Sequence, residues 1–534
     1  MTTKNGSGGS LEKYHAVFMP FTDVYDQGGP EAFRHLERHD EKERNLIVLP
    51  FSFIDMLSEL ETKENSMGAR DALLYIKDSG YKKIDSESSN GKNLYRLSQG
   101  LDLLILTDEQ YSGRNLSIFD LKKDLEKYVS FREFEIITND TRDHIKYSGG
   151  GVKVSDPEFL QVNESIVHEG VIDGNDELQA ALRSSKSESL ELDKVEKILD
   201  RELYMNQFIR FRSNDNKEYF ARVAGKLEYN HSKTRIIGVN APVVELLNSK
   251  EYSKRLTIGN SHFDNVLGVK PRDMEQYLAL QYGLLNDDVS VFFLCGKAGS
   301  GKTLLTYAAA VDSVLVYDGI QFKDRYPNHN EKTSYRIGDR GRFKQIALLK
   351  PPEILGGARR DPGALPGTLL DKLTPHLRPY SDAHRETIMN AFPFDEMFRH
   401  PKYENRYGPP RNREISDKRF NAAKLPNCEI IDLVYSGFIG GASISDTNII
   451  LDEAQDYTPY EMKTIIERTA EGSKLIICGD PMQTRNPKCT TKTNGLTFAV
   501  RHFLPKPYTG LVYLNRNYRH QASEDSDSMR AYNK

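Results

Sequence analysis

Along the first third of the chain, short apolar runs alternate with stretches of helical spacing. Ala16 to Met19 and Leu46 to Leu49 are apolar runs of strand length, whereas Phe53 to Ile76 repeats its apolar positions at helical intervals. Phe134 to Thr138 predicts another strand, stopped by Asn139-Asp140 and followed by the breaker Gly149-Gly150-Gly151. Such alternation predicts a small α/β domain with a parallel sheet. The next region differs. Asp176 to Leu203 is charged with helical spacing, Phe208 to Val223 reads as a β-hairpin around Asn214-Asp215-Asn216, and Lys226 to Val239 adds strand character. From His262 the α/β pattern returns, with a helical run over Asp273 to Leu285, a strand over Ser290 to Cys295 and a helix over Thr303 to Val314. Strands over Asn448 to Leu451 and Lys474 to Cys478 each run straight into an acidic segment. The expected division is a tail at 1–12, an α/β domain at 13–160, a helical and β-hairpin connector at 161–260 and a second α/β domain at 261–534.

Composition narrows the class. A chain of 534 residues exceeds what one core supports, so two or three domains are expected. With 38% hydrophobic and 28% charged residues it reads as a water-soluble globular protein. Val289 to Cys295 falls far short of the roughly 20 apolar residues that span a bilayer, so no membrane partner is expected. The polar, Gly/Ser-rich start carries no apolar stretch of the secretory kind. Four cysteines, Cys295, Cys428, Cys478 and Cys489, lack zinc-ligand spacing and point to a reducing, cytoplasmic setting. A net charge of −4 means that any nucleic-acid contact must come from local basic patches.

Gly296-Lys297-Ala298-Gly299-Ser300-Gly301-Lys302-Thr303 matches the phosphate-binding pattern GxxxxGK[ST] in full, with an apolar strand before it and a helix after it. Glycines let backbone N–H groups turn toward phosphate oxygens, and the helix start aims its positive end at them. Lys302 is expected to neutralise the β- and γ-phosphates of ATP, and the Thr303 hydroxyl to ligate Mg²⁺. Ile449 to Leu451 delivers Asp452, a second Mg²⁺ ligand, and Glu453, placed to polarise the attacking water. Strands often finish in solvated acids, so this second motif draws its meaning from the first. Gly479-Asp480-Pro481-Met482-Gln483 would read on turn chemistry alone as a simple turn. Following Asp452-Glu453, it instead offers Gln483 as an amide that reports the γ-phosphate.

The order DEAQ then GDPxQ, with Lys463-Thr464-Ile465 and Gly472-Ser473-Lys474 between, resembles the PhoH family of ATPases. These are relatives of the first RecA-like domain of superfamily 1 helicases. Arg272-Asp273-Met274-Glu275-Gln276 resembles the family's adenine motif, which implies that Gln276 binds the base. Gly363 to Gly367, with Lys372 and Pro375, resembles its LPG segment, and Asn494-Gly495-Leu496 and Leu514 to Arg519 its C-terminal blocks. The likeness runs from about Leu267 to Arg519 and implies a RecA-like P-loop domain with a parallel sheet. One departure is Phe438 to Ser443, where the family carries arginines and this chain has none.

The N-terminal domain is similar to the PIN nuclease domain that precedes some PhoH domains. Gly68-Ala69-Arg70 and Ile136 to Arg142 carry that likeness. A metal site there would draw on Asp23, Asp55 (or Glu59) and Asp140. Phe21-Thr22-Asp23 lacks the leading acid of the family's Asp-Thr-Asn, Asp23 and Asp26 could replace it only by a register shift, and no third acid stands near Asn115. A degenerate scaffold or RNA-docking role is therefore favoured.

A superfamily 1 helicase closes its nucleotide site with an arginine from a second RecA-like domain. With Lys534 soon after Arg516 and Arg519, a neighbouring subunit is expected to supply that arginine, and the resemblance implies a hexameric ring. Arg468, Arg516 and Arg519 are the candidate fingers, each equally readable as an ordinary surface arginine. Between Phe398 and Pro426, Arg399, Lys402, Arg406, Arg411, Arg413, Lys418 and Arg419 interleave with Tyr403, Tyr407 and Phe420. That pattern suits single-stranded RNA or DNA, and equally a solvated loop. Arg359-Arg360 could line a pore by the same logic. The leading expectation is an ATP- and Mg²⁺-dependent motor on single-stranded nucleic acid, RNA first. The alternatives are a PIN ribonuclease gated by the ATPase and a nucleotide-switched assembly protein.

Overall fold

The long apolar runs become buried strands of two parallel sheets. The computed structural model describes residues 12–38, 43–64, 66–78, 82–83, 93–106, 118–126, 129–212, 218–230, 236–247, 256–258, 261–314, 343–351, 354–355, 358–359, 369–387, 394–398, 430–435 and 443–519. They fall into two compact units: the residues up to Gln161 with Thr458–Lys463, and Val162–Tyr457 with Thr464–Lys534.

In the second unit six strands run Ile431–Tyr435, Gln345–Lys350, Thr447–Leu451, Lys474–Gly479, Val291–Gly296, Thr509–Leu514, with every neighbouring pair parallel. The last four in that order are buried at every position, as strands covered on both faces must be. This mixed α/β fold with a parallel sheet is the RecA-like arrangement expected. Parallel strands share one C-terminal edge. The loop after Val291–Gly296, the turn after Lys474–Gly479 and Asp452-Glu453 after Thr447–Leu451 therefore emerge side by side.

The connector residues belong to this same unit. Phe208–Arg212 pairs antiparallel with Glu218–Tyr229, the expected hairpin, and Glu218–Tyr229 pairs in turn with Ile236–Leu246. The charged run before it forms two helices, Asp176–Ser184 and Leu192–Leu199, with the short strand Ser189–Glu191 between. Phe208, Phe220, Leu247 and Leu256 share one apolar cluster with Phe292, Leu294, Ile476 and Val512. A polar pin crosses the same boundary. Asn206, in a left-handed conformation at φ 63°, donates from Nδ2 to Pro507 O at 3.1 Å and Thr509 O at 2.9 Å. Its Oδ1 accepts from Arg222 Nη2 at 2.6 Å.

The run predicted as helix over Asp273 to Leu285 starts as Met274–Leu278 and widens into a π-helical turn over Ala279–Leu284. The buried Lys474 ammonium donates to Gly283 O at 2.6 Å and Asn286 O at 2.7 Å. It thereby satisfies carbonyls that the end of this helix leaves open.

The first unit holds seven strands in the order Lys82–Lys83, Asn93–Arg96, Leu101–Leu106, Arg44–Pro50, Glu12–Pro20, Val129–Ile137, Lys153–Ser155. The last five are mutually parallel and the first two antiparallel, so the expected parallel sheet carries an antiparallel edge. Phe53 to Ile76 resolves into two helices, Phe51–Glu64 and Met67–Asp78. The second opens at Ser66, whose Oγ accepts from Ala69 N at 3.1 Å, a cap that favours a fresh start over continuation.

Among the described residues, no helix is long and apolar enough to cross a membrane. Cys295, Cys478 and Cys489 are buried free thiols. Burial pushes the Cys478 thiol up to about 12, which makes it a core residue rather than a nucleophile.

The Asn206→Ala variant loses three side-chain hydrogen bonds and leaves the Pro507 and Thr509 carbonyls without the Asn206 donor. The expected loss is about 2–4 kcal/mol in the second unit, read as a lowered midpoint in calorimetric or denaturant unfolding.

Candidate active site

The Gly-rich loop is held on three sides by its own chain. Gln276, buried to 4% exposure, donates from Nε2 to Ser300 O at 2.9 Å, while its Oε1 accepts from Arg272 N at 2.9 Å. Its amide is thus spent on the loop backbone. Tyr518 N donates to Gly299 O at 3.0 Å and Lys297 N to Leu514 O at 3.3 Å. Gly299 (φ +76°) and Gly301 (φ +95°) need the freedom of glycine for shape and for space. A Cβ on Gly299 would meet Asn517 Oδ1 at 2.4 Å and Arg519 Cγ at 2.8 Å, and one on Gly301 would meet Gln276 Nε2 at 2.9 Å.

Asp273 to Gln276 also holds the C-terminal segment. Glu275 accepts from Asn515 N and from Asn515 Nδ2, both at 2.7 Å. The Tyr518 hydroxyl bonds Asp273 Oδ2, and the Arg272 guanidinium lies 5.2 Å from the centre of the Tyr518 ring.

Within the loop, Lys302 Nζ donates to Gly296 O at 2.5 Å and Lys297 O at 2.9 Å. The Ser300 hydroxyl is buried without a hydrogen-bond partner. Ala298 sits half-buried at the crown of the loop, and Thr303 is half-buried in the first turn of helix Lys302–Val314.

The two acids of the Asp452-Glu453 motif are each matched by a cation. Lys350, the last residue of its strand, pairs with Asp452 Oδ2 at 3.2 Å. The Lys350 ammonium also lies 5.2 Å from the centre of the buried Tyr380 ring. Glu453 takes a left-handed backbone (φ 52°). Its Oε1 pairs with Arg485 Nη2 at 2.8 Å and its Oε2 accepts from Gln455 Nε2 at 2.9 Å. Gln455, fully buried, accepts from Asp480 N at 3.0 Å, tying the two motifs together. Asp480 caps Pro481–Gln483, and Gln483 Nε2 donates back to Asp480 Oδ2 at 2.6 Å.

The candidate fingers lie in different places. Arg516 and Arg519 are exposed on the segment leaving strand Thr509–Leu514, and the stem of Arg519 lies against the chain's own Gly299. Arg468 accepts at its carbonyl from Ile444 N at 2.9 Å, at the opposite edge of the sheet from the Gly-rich loop. The basic stretch Arg399 to Phe420, the segment Gly363 to Gly367 and Phe438 to Ala442 lie outside the described residues. Sequence reasoning missed Lys350, Gln455, Arg485 and Tyr518. The Gln of DEAQ was the one local signal among them.

The profile of the family described as PhoH-like protein matches residues 336–530, a span that takes in Asp452-Glu453 and Gly479 to Gln483. The C-terminal region carries a PhoH-family domain. Protein PhoH2 of Bacillus subtilis (strain 168) is 30% identical over 266 residues, 50% of this chain and 48% of that protein. The PhoH-like protein of the same organism is 28% identical over 196 residues, 37% of this chain and 44% of the relative. That of Mycobacterium leprae (strain TN) is 28% identical over 215 residues, 40% and 45% of the two chains. The chain thus spans about half the length of the curated relatives it matches. The Gly-rich loop lies before the matched residues, yet its strand sits beside the PhoH domain's Lys474–Gly479 in one sheet.

In the N-terminal unit, Asp23 and Asp140 follow adjacent parallel strands and share Thr138 Oγ1 as a neighbour, while Asp55 lies on a separate helix. Among the described residues no group of three or more His, Cys, Asp or Glu is placed to hold a metal ion. Asp23 accepts from Asn139 N at 2.6 Å and from Thr138 Oγ1 at 3.2 Å. Asp140 caps helix Thr141–Ser148 and takes two bonds from the Arg142 side chain at 3.1 and 2.6 Å. Asp55 stands exposed on its helix. Burial raises the Asp23 carboxyl to about 6, whereas the Arg142 guanidinium holds Asp140 down at about 2.

Two outcomes follow. Gln276→Ala removes the bond to Ser300 O and the bond from Arg272 N that steadies the amide making it, and nucleotide affinity measured by titration calorimetry should fall about tenfold. For Asp23, the folded pKa lies above the unfolded one, so its proton favours the fold and stability drops as pH rises from about 4 through about 6. Asp23→Asn should therefore raise the melting temperature at pH 7.5 and bring no gain at pH 4, as thermal melts at the two pH values will show.

Proposed function

We propose that this chain is a magnesium-dependent ATPase whose turnover is coupled to single-stranded nucleic acid, RNA first, in a cytoplasmic ring oligomer. The observation that carries the hydrolytic part is the meeting of the Gly-rich loop and Asp452-Glu453 at one edge of a parallel sheet. The residues present fit a magnesium nucleotide. Ser300 holds a buried hydroxyl without a partner, and the Lys302 ammonium lies within the loop, donating to the carbonyls of Gly296 and Lys297.

Thr303 and Asp452 would hold the magnesium, which when bound supplies positive charge to the β- and γ-phosphate oxygens. The chain's own residues account for the rest. Backbone N–H groups of the loop beyond Lys297 bind the phosphates, and Lys302 turns outward to neutralise them. Glu453 accepts the proton of the attacking water at a carboxylate oxygen. Gln455 keeps that carboxylate and Asp480 in fixed relation, so the strand tip carrying Gln483 is mechanically joined to the general base. Exposed Arg519 borders the same loop at Gly299, and Arg516 is exposed three residues before it; either could meet phosphate or a neighbouring subunit.

Coupling to nucleic acid and ring assembly, hexameric by resemblance, draw support from the PhoH-family domain and from the basic, aromatic stretch Arg399 to Phe420. A nuclease role for the PIN-like unit is not favoured, because Asp23 and Asp140 are each committed to their own hydrogen bonds.

Steady-state ATP hydrolysis with and without single-stranded RNA and DNA tests this reading. Turnover should rise several-fold with single strands and fall at least about 100-fold in Lys302→Ala and Glu453→Gln. Hydrolysis indifferent to nucleic acid would remove the motor and leave a nucleotide-controlled assembly protein. No hydrolysis at all would remove the ATPase.

A further inference from the structure

Arg485 follows the turn Pro481–Gln483 and meets two acids of the Asp452-to-Asp456 segment. The two contacts differ in kind. Toward Asp456 the residue is anchored. Asp456 is buried to 8% exposure. Its Oδ1 accepts from Arg485 N at 2.6 Å and Asn486 N at 3.2 Å, and its Oδ2 from Arg485 Nε at 3.2 Å. Asn486 Nδ2 closes the same corner on Asp456 O at 2.9 Å. Toward Glu453 the contact is a single Nη2–Oε1 pair at 2.8 Å between side chains that are 64% and 37% exposed. A buried anchor on one side and a solvated pair on the other leave the outer half of the guanidinium free to change partner while its base stays fixed.

The same pair occupies the general base. With Oε1 on Arg485 and Oε2 on Gln455, both carboxylate oxygens of Glu453 have donors already. Terminal phosphate oxygens carry more negative charge than a carboxylate and match the planar fork of an arginine. They therefore compete for Nη2 on better terms than Glu453 does.

We propose that Arg485 is a cis-acting arginine of this nucleotide site: anchored by Asp456, it pairs with Glu453 in the nucleotide-free chain and exchanges that carboxylate for the terminal phosphate of a nucleoside triphosphate. The exchange makes the site discriminate triphosphate from diphosphate. It also frees Glu453 only when there is a phosphate to attack. The inference rests on the ATPase reading above and adds to it the residue by which the end of the substrate is sensed.

Equilibrium binding of a fluorescent non-hydrolysable ATP analogue and of fluorescent ADP, with magnesium and the full chain, tests it. Arg485→Ala should weaken the analogue about tenfold while ADP stays within about twofold. Arg485→Lys should recover part of the loss. Glu453→Gln removes the competing carboxylate, so it should tighten analogue binding several-fold, and that gain should vanish in the double variant with Arg485→Ala. Equal weakening of both nucleotides by Arg485→Ala, or a gain from Glu453→Gln that survives without Arg485, overturns the proposal. Should Arg485→Ala fail to fold by circular dichroism, Glu453→Gln still decides, since unchanged analogue affinity there overturns it as well. A wild-type chain that binds neither nucleotide defeats the ATPase reading itself. Wild-type discrimination that Arg485→Ala leaves intact defeats this inference alone.

Discussion

Two carboxylates leave one strand side by side at Asp452 and Glu453, and a pair of like charges half-withdrawn from water cannot stand without compensation. The chain supplies a cation for each, Lys350 from the neighbouring strand and Arg485 from beyond the turn that follows the strand on the other side. Much of the architecture follows from that requirement. Lys350 reaches Asp452 because Gln345–Lys350 and Thr447–Leu451 run parallel in register, Leu349 beside Leu451. Arg485 reaches Glu453 because Asp456 holds both its backbone and its Nε. On the reading proposed above, a substrate rich in negative charge would meet cations that already face acids, so its binding would be an exchange of partners rather than the capture of idle charge.

The loop is organised on the same principle. Lys302 rests on the carbonyls of Gly296 and Lys297, and Gln276 and Tyr518 fix the backbone around it. Rigid backbone with one mobile cation suits phosphate capture, because the geometry of the N–H groups need not be rebuilt when an anion arrives. The connector contributes to that rigidity. Asn206 and Phe208 are pinned to the strand Thr509–Leu514 and its core, and the segment beyond that strand supplies Tyr518 to the loop.

The N-terminal unit shows the reverse economy. Asp23 and Asp140 sit after adjacent parallel strands, where a nuclease would gather metal ligands, yet each is satisfied locally. Asp140 spends its charge on Arg142 and a helix start, and burial pushes the Asp23 carboxyl up to about 6. Both acids thus contribute hydrogen bonds that fix the strand ends and the helix start around them.

What the chain's order alone determined are the features whose residues are neighbours in sequence: the strand, Gly-rich loop and helix from Val291 to Val314, the Asp452-Glu453 strand end, the Gly479 to Gln483 turn and the hairpin after Phe208. Each rests on backbone chemistry confined to a few residues, which is why pattern and turn chemistry suffice. What only the tertiary structure decided are the partners brought in across strand pairings: Lys350 for Asp452, Arg485 for Glu453, Gln455 for Asp480, and Gln276 for the loop backbone. The break of the Phe53 to Ile76 run at Ser66 and the separate local partners of Asp23 and Asp140 belong to the same class. A lone Lys or Arg carries no local mark of the acid it will face. That pairing depends on which strands lie side by side, and the strand order is a property of the whole folded sheet.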